Sequence, residues 1–466
     1  MALNCRFLSS NSTLMKRIIP LATMLALATV TAIGHAQTVE RTLSNGLKVV
    51  VIPDHRAPTV AHMVWYRAGS IDEVNGRTGV AHALEHMMFK GTKTVGPGEF
   101  SSRVAALGGR ENAFTSRDYT GYFQQVQKTK LADVMALEAD RMNNLVLSQE
   151  EFAKEIQVVM EERRWRTEDQ AQSLVYEQLM AVAFTTSPYR RPIIGWMDDL
   201  SAMTVQDARD WYHTWYTPSN AVLVVAGDVD PAEVIRLAEA DYGSIKPAAL
   251  PERKPQAEPE QRGRRTVAVK APADNPYVAL GFHVPKLAKV GEDVEPYALE
   301  LLAAALDADE NGRLTRNIVR GSRVANQAGA GYHMTSRGPS LFILDGTPAG
   351  EHTTAEVEAA LRAEIGKIAA DGLTEEELGR IKTQYVAAQI YKRDSIFAQG
   401  MEAAQLEMLG FSYADADRIL ERIRGVSSAQ VQAVAKKYFG DDTLTVATLL
   451  PQPVGVPRKR GPVTSH

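Results

Sequence analysis

Cysteine is almost absent: the 466-residue chain has one, Cys5. A lone thiol builds no disulfide framework and offers no sulfur cluster to a metal. Basic charge is not in excess either. The 52 lysines and arginines stand against 56 aspartates and glutamates, and the formal net charge of −4 speaks against a nucleic-acid partner. Long apolar runs are missing with one exception near the start, so no integral membrane segment is expected in the body of the chain.

That exception, residues 18–33, follows Lys16 and Arg17 and ends in Gly34-His35-Ala36. A charged start, an apolar run and a small-x-small site read as a secretory signal peptide over residues 1–36, cleaved after about Ala36. An uncleaved anchor is the alternative, although the run is short, threonine-rich and interrupted by Pro20. Met15 offers a second start. The leader contains three basic and no acidic residues, so its removal leaves a charge of −7. Cys5 leaves with it. A thiol-free exported chain suits the oxidising periplasm, and any metal must then be held by His, Asp or Glu.

What is present is ordinary for a soluble globular protein: 45% hydrophobic and 23% charged residues, over a length that fits two domains. Two distant stretches read alike. "TVQDARDWYHTWYTPSNAVLVVAGDVD" from Thr204 and "SSAQVQAVAKKYFGDDTLTVATLLP" from Ser427 each run from a Ser/Thr cap through a helix and an aromatic to a β-branched strand. "TVAHMVWYRAGS" and "YVALGFHVPKLA" form a second echo. Together they predict a duplicated α+β domain, against two unrelated domains. The halves are expected at residues 37–245 and 266–455. A Pro- and charge-rich extended linker at 246–265 joins them, and a tail follows at 456–466. Within the first half, residues 41–52 and 59–67 read as strands. Residues 79–89 read as a helix, 99–109 as a helix closed by glycine, 110–126 as a strand pair, and 131–145 and 150–166 as long helices.

"GVAHALEHMMFKGT", residues 79–92, places His82 and His86 four positions apart with Glu85 beside the second. On a helix the two imidazoles lie about 40° apart on one face, one turn apart, where both can reach one tetrahedral zinc. Glu85 can lean over the same metal as a base for water, in the mirror order of the His-Glu-x-x-His helix. A helix with two surface histidines is the other reading. A catalytic zinc takes three protein ligands. "KEIQVVMEERRW" offers Glu155 and Glu162, seven apart and nearly on one face, whereas Glu161 points about 100° away. Both could equally be surface charges.

These segments resemble the pitrilysin/insulinase-type zinc peptidases, and among them the mitochondrial-processing-peptidase-like subunits. The likeness rests on "HALEHMMFKGT", "GGRENAFTSRDYTGYF", "EIQVVMEER" and "SPYRRPIIGW", in that order, with a duplicated second half. It implies two homologous α/β-sandwich half-domains, each an antiparallel-rich sheet covered by helices. It also implies Zn2+ held by His82, His86 and Glu162, with Glu85 as general base and Glu155 orienting a ligand histidine. Asn112 and Ala113 would lie on an edge strand that pairs with a peptide substrate. Zinc would activate water and polarise the scissile carbonyl, making a metalloendopeptidase.

One departure stands out. Self-sufficient members of this family carry an arginine and, seven positions later, a tyrosine that hold substrate. Here Arg320 is followed at the seventh position by Gln327, and Tyr332 lies too far along. This predicts the catalytic member of a heterodimer, completed by a paralogous zinc-free subunit with the Arg/Tyr pair. An active homodimer is the alternative. The competing function from another class is a non-catalytic scaffold or assembly subunit, which would need no metal motif.

Overall fold

The computed structural model describes residues 38–254, 256–308 and 310–453. The expected leader and tail lie outside them. In the first half, β1 (Val39–Thr42), β2 (Lys48–Pro53), β3 (Thr59–Tyr66), β4 (Arg110–Thr115), β5 (Thr120–Gln127) and β6 (Ala221–Gly227) form a sheet in the order β1-β2-β6-β3-β5-β4. In the second, β7 (Arg265–Pro272), β8 (Tyr277–Val284), β9 (Ala325–Tyr332), β10 (Ser340–Pro348) and β11 (Leu444–Gln452) form a sheet in the order β7-β11-β8-β10-β9. Only β2 with β6 and β7 with β11 are parallel; every other pair is antiparallel. Strands β2, β6, β3, β5 and β4 thus repeat as β7, β11, β8, β10 and β9, and the sequence echoes occupy matching places in the two sheets.

The helices of the first half are α1 (Val80–Met87), α2 (Glu99–Ala106), α3 (Leu131–Asn144), α4 (Gln149–Arg163), α5 (Ala171–Ala183), α6 (Met197–Ala202), α7 (Val205–Trp215) and α8 (Pro231–Asp241). Those of the second are α9 (Glu295–Asp307), α10 (Thr354–Asp371), α11 (Glu375–Lys392), α12 (Ile396–Leu409), α13 (Asp415–Gly425) and α14 (Ser428–Tyr438). Reciprocal capping boxes start α7 at Thr204 and α14 at Ser427, the local chemistry that makes those two stretches read alike. No helix among the described residues is long and apolar enough to cross a membrane.

One face of the first sheet packs on α1, α3, α7 and α8 around Leu84, Val134, Trp211 and Val234. Its other face is covered from the far half. Ala403, Ala404 and Met408 of α12 pack on Met63, Trp65 and Val224. The exchange is reciprocal, because Val175 and Leu179 of α5 pack on Ala279, Ala447 and Leu449 of the second sheet. Both faces being covered explains why β2 and β6 are runs of valine with no polar alternation.

One expectation needs correction. Residues 41–52, read as a single strand, are two strands and a turn. The Leu43 N–H donates to the Leu47 carbonyl at 2.9 Å. Gly46 takes φ +88°, which only a residue without Cβ adopts freely. The chain reverses there and β1 pairs antiparallel with β2.

Candidate metal centre and active site

Helix α1 carries the His-x-x-Glu-His motif. It begins at Gly79, which has no side chain to cap the first turn, and Glu73 supplies the cap instead. Its two side-chain oxygens accept the N–H groups of Gly79 and Ala81, each at 2.9 Å. The "SPYRRPIIGW" segment packs behind this turn. Gly195 approaches so closely that a Cβ there would lie 2.4 Å from the Thr78 carbonyl oxygen, and one on Gly79 would lie 2.5 Å from that of Ile194. Arg191 donates to the Glu73 carbonyl and, at 3.0 Å, to Asn75 Oδ1. Buried Arg141 of α3 pairs with Glu138 and faces the Phe100 ring at 4.1 Å and, in the motif segment, the Phe89 ring at 5.0 Å.

One turn apart on α1, the His82 and His86 rings meet edge to face at 4.7 Å between centroids. Opposite them, α4 presents Glu162, whose Oε2 lies 3.6 Å from His82 Nε2 and 3.3 Å from His86 Nε2. Among the described residues these three form the one group of His, Cys, Asp and Glu whose ligand atoms converge, all within 4.8 Å. Glu161, the neighbouring candidate, is exposed and pairs with Arg164. Glu155, one α-helical heptad earlier, accepts from His86 Nδ1 at 3.0 Å and from Lys90 Nζ at 2.7 Å. The second oxygen of Glu162, Oε1, is held by Arg166 at 2.9 Å.

Burial holds the His82 pKa down to about 3, so this imidazole keeps a free lone pair. Among the described residues its Nδ1 has no hydrogen-bond partner, and its Nε2 meets the Glu162 oxygen at 3.6 Å. A buried imidazole without satisfied nitrogens is costly unless a ligand is bound. At His86 burial opposes the cation, but Glu155 and Glu162 outweigh it and raise the pKa to about 9. The cluster therefore favours a positive charge between its two imidazoles and the Glu162 carboxylate. A donor set of two nitrogens and one oxygen, with no sulfur, fits Zn2+.

Glu85 is half-buried beside this group. Its Oε2 accepts from Thr115 Oγ1 at 2.5 Å, and burial raises its pKa. Thr115 ends β4, the edge strand of the first sheet, which also carries Asn112 and Ala113. The Ala113 N–H donates to Asn112 Oδ1 at 2.8 Å. Arg320 is not among the residues brought together here. It lies on the π-helical segment Thr315–Ser322 and pairs with Glu310, both exposed. Gln327 sits exposed on β9, at the corresponding edge of the second sheet.

Sequence reasoning missed Glu73, Lys90, Thr115 and Arg166. Two left a signal, Arg166, which is four positions after Glu162 and one turn along, and Thr115; Lys90, past the end of α1, left none. Thr115 is two positions after Ala113 on the same strand face. Glu73 left none, because its role depends on a loop folding back.

The sequence matches the insulinase family (peptidase family M16) over residues 48–196 and the peptidase M16 inactive domain over residues 202–385. The zinc protease PqqE of Helicobacter pylori is 32% identical over 463 residues, spanning 94% of this chain and 99% of its own length. A crystal structure of a protease from Helicobacter pylori has a TM-score of 0.85 and 30% identity, covering 89% of this chain and all of the other. The periplasmic protease PqqL of Escherichia coli shares the fold, with a TM-score of 0.75 at 20% identity. It spans 90% of this chain, which matches only 48% of PqqL. The chain belongs to the insulinase family of peptidases, M16.

Proposed function

We propose that this protein is a zinc metalloendopeptidase that hydrolyses peptides or unfolded polypeptides. His82, His86 and Glu162 hold the metal, and Glu85 is the general base. The observation that carries the reading is the convergence of those three ligand atoms beside a half-buried carboxylate; relatives named zinc protease agree with it.

Zinc, when bound, acts as a Lewis acid that polarises the scissile carbonyl and acidifies water. Glu155 keeps His86 in the tautomer whose Nε2 faces the metal, and Lys90 keeps Glu155 ionised. Arg166 occupies Glu162 Oε1 and leaves Oε2 for the metal. Thr115 likewise occupies Glu85 Oε2, so Oε1 takes the proton from the attacking water and then delivers it to the leaving amide nitrogen. Burial raises the affinity of Glu85 for that proton, as a group that accepts and returns it requires. The substrate backbone adds to the β4 edge, replacing Asn112 at the Ala113 N–H.

The reading extends to the whole chain. Residues 37–245 and 266–455 are the two half-domains, joined by the linker 246–265. The leader 1–36 directs export to the periplasm, the compartment named for PqqL. Arg320 alone, with Gln327 in place of the tyrosine, leaves substrate poorly held, so a paralogous zinc-free subunit with both residues completes the site. That PqqL spans about twice the matched length supports a pair of such units. A scaffold subunit would not need the Glu85–Thr115 bond or the convergent ligands.

The test is Glu85→Gln, which keeps size and removes the base. Zinc content should stay at the wild-type level while hydrolysis of an unstructured peptide falls by at least about 10²-fold. Substantial turnover by this variant at full zinc occupancy would overturn the role of Glu85.

A further inference from the structure

We propose that Arg337, from the C-terminal half, is a positioning residue for the metal centre in the N-terminal half. It acts through Asp72 and the loop 69–73, and the proposal rests on the metallopeptidase reading for what that centre does.

Arg337 lies in the turn between β9 and β10, yet its guanidinium is spent entirely on the other half. Nη1 and Nη2 reach the two oxygens of Asp72 at 2.7 and 2.8 Å, with the side chains 9% and 4% exposed. Nη1 also donates to the Asp118 carbonyl at 2.8 Å, and the Arg337 backbone N–H to Asp118 Oδ2 at 3.2 Å. Asp72 and Asp118 sit on two segments that each lead into an element of the metal centre. Asp72 ends the 3-10 turn Ser70–Asp72 and is followed by Glu73, whose side chain caps α1. Asp118 belongs to the turn between β4 and β5, whose strand β4 brings Thr115 to Glu85.

The two segments are also locked to each other. Ser70 and Ile71 donate their N–H groups to the carbonyls of Ser116 and Arg117 at 3.2 and 2.9 Å. A Cβ on Gly69 would lie 2.6 Å from both those oxygens, so nothing larger than glycine fits between them. Arg337 thus clamps one rigid corner from which both the cap of α1 and the partner of Glu85 depart. Deleting the clamp takes the bidentate partner from the buried Asp72 carboxylate and a donor from the Asp118 carbonyl, which loosens the corner. The linker residue Arg253 also reaches Asp72, at 2.9 Å, but from a more exposed position and with a single nitrogen.

A mere fastener between halves would not act on α1. Arg265 provides the comparison: it also bridges the halves, donating from β7 to the Val182 and Ala183 carbonyls at the end of α5. The experiment follows hydrogen exchange in the full chain after chelation, so it needs no turnover. Arg337→Gln, and Arg337→Lys as the milder variant, should speed exchange of the segment 79–89 by about tenfold or more. Arg265→Gln should leave that segment at its wild-type rate. Zinc affinity, measured against a competing chelator, should weaken about tenfold in the Arg337 variants only. Wild-type exchange over 79–89 in both Arg337 variants, or an equal rise in Arg265→Gln, would overturn the proposal. A wild-type chain that hydrolyses no peptide would count against the peptidase reading and leave the exchange result standing.

Discussion

Burial penalises a carboxylate's charge, and the glutamates of this chain meet that penalty with different partners. At Glu155 burial is outweighed by His86 and Lys90, which hold its pKa below the ordinary value. At Glu85 the hydroxyl of Thr115 is too weak to compensate, and the pKa rises. Glu300 on α9 accepts from the Tyr385 hydroxyl at 3.2 Å, and burial pushes its pKa to about 7 from an ordinary 4.5 against that bond and the charge of Lys392. Because the folded chain holds this proton more tightly than the unfolded one, its contribution is fully present below pH 4.5. It is lost as pH rises through 7, by at most about 3 kcal/mol. Glu300→Gln removes the titration. Its thermal midpoint should therefore gain on wild type between pH 5 and pH 8, and parallel pH profiles would contradict the assignment. Local geometry made much of the site legible: a spacing of four on a helix brings His82 and His86 together without knowledge of the fold. Lys90 and Glu73 were not legible as partners, since each depends on where a second element arrives.

At the scale of elements, duplication was readable and exchange was not. Caps and β-branched runs are local, so the stretches from Thr204 and Ser427 announce the same helix–strand unit in each half. Periodicity shows that a helix has an apolar face, but not which sheet it meets. Nothing local says that α12 covers the first sheet and α5 the second. Valines and leucines on both sides of Ser44-Asn45-Gly46 make one continuous strand signal that hides the turn there. The exchange has its own requirement. Helix α12 comes close to β3 because it presents Gly400, where a Cβ would lie 2.8 Å from Met63 Cε. Gly400→Val should lift the helix from the sheet and lower the stability of the chain by about 1–3 kcal/mol. Denaturant titration checks this, and an unchanged midpoint would show that the contact has slack.

For the whole molecule, the two corresponding sheet edges, β4 and β9, are unequal. The β4 edge carries Asn112 and Ala113 and brings Thr115 to Glu85, whereas the β9 edge carries Gln327 and has Arg320 engaged with Glu310. Poor positioning of substrate costs about 10²-fold in rate or more. The purified chain alone should therefore hydrolyse peptides slowly. Titration with a paralogous subunit bearing the Arg/Tyr pair should raise activity in step with complex mass. Full activity of an isolated monomer or homodimer, unchanged by the partner, would rule out the two-subunit arrangement.

The central claim is that this chain holds one zinc through His82, His86 and Glu162. Zinc content per chain, measured by elemental analysis of wild type and single alanine variants, tests it most directly. Stoichiometric zinc is expected in wild type and in Glu161→Ala, and its loss in His82→Ala, His86→Ala and Glu162→Ala. Retention in Glu162→Ala with loss in Glu161→Ala, or no zinc in wild type, would contradict it.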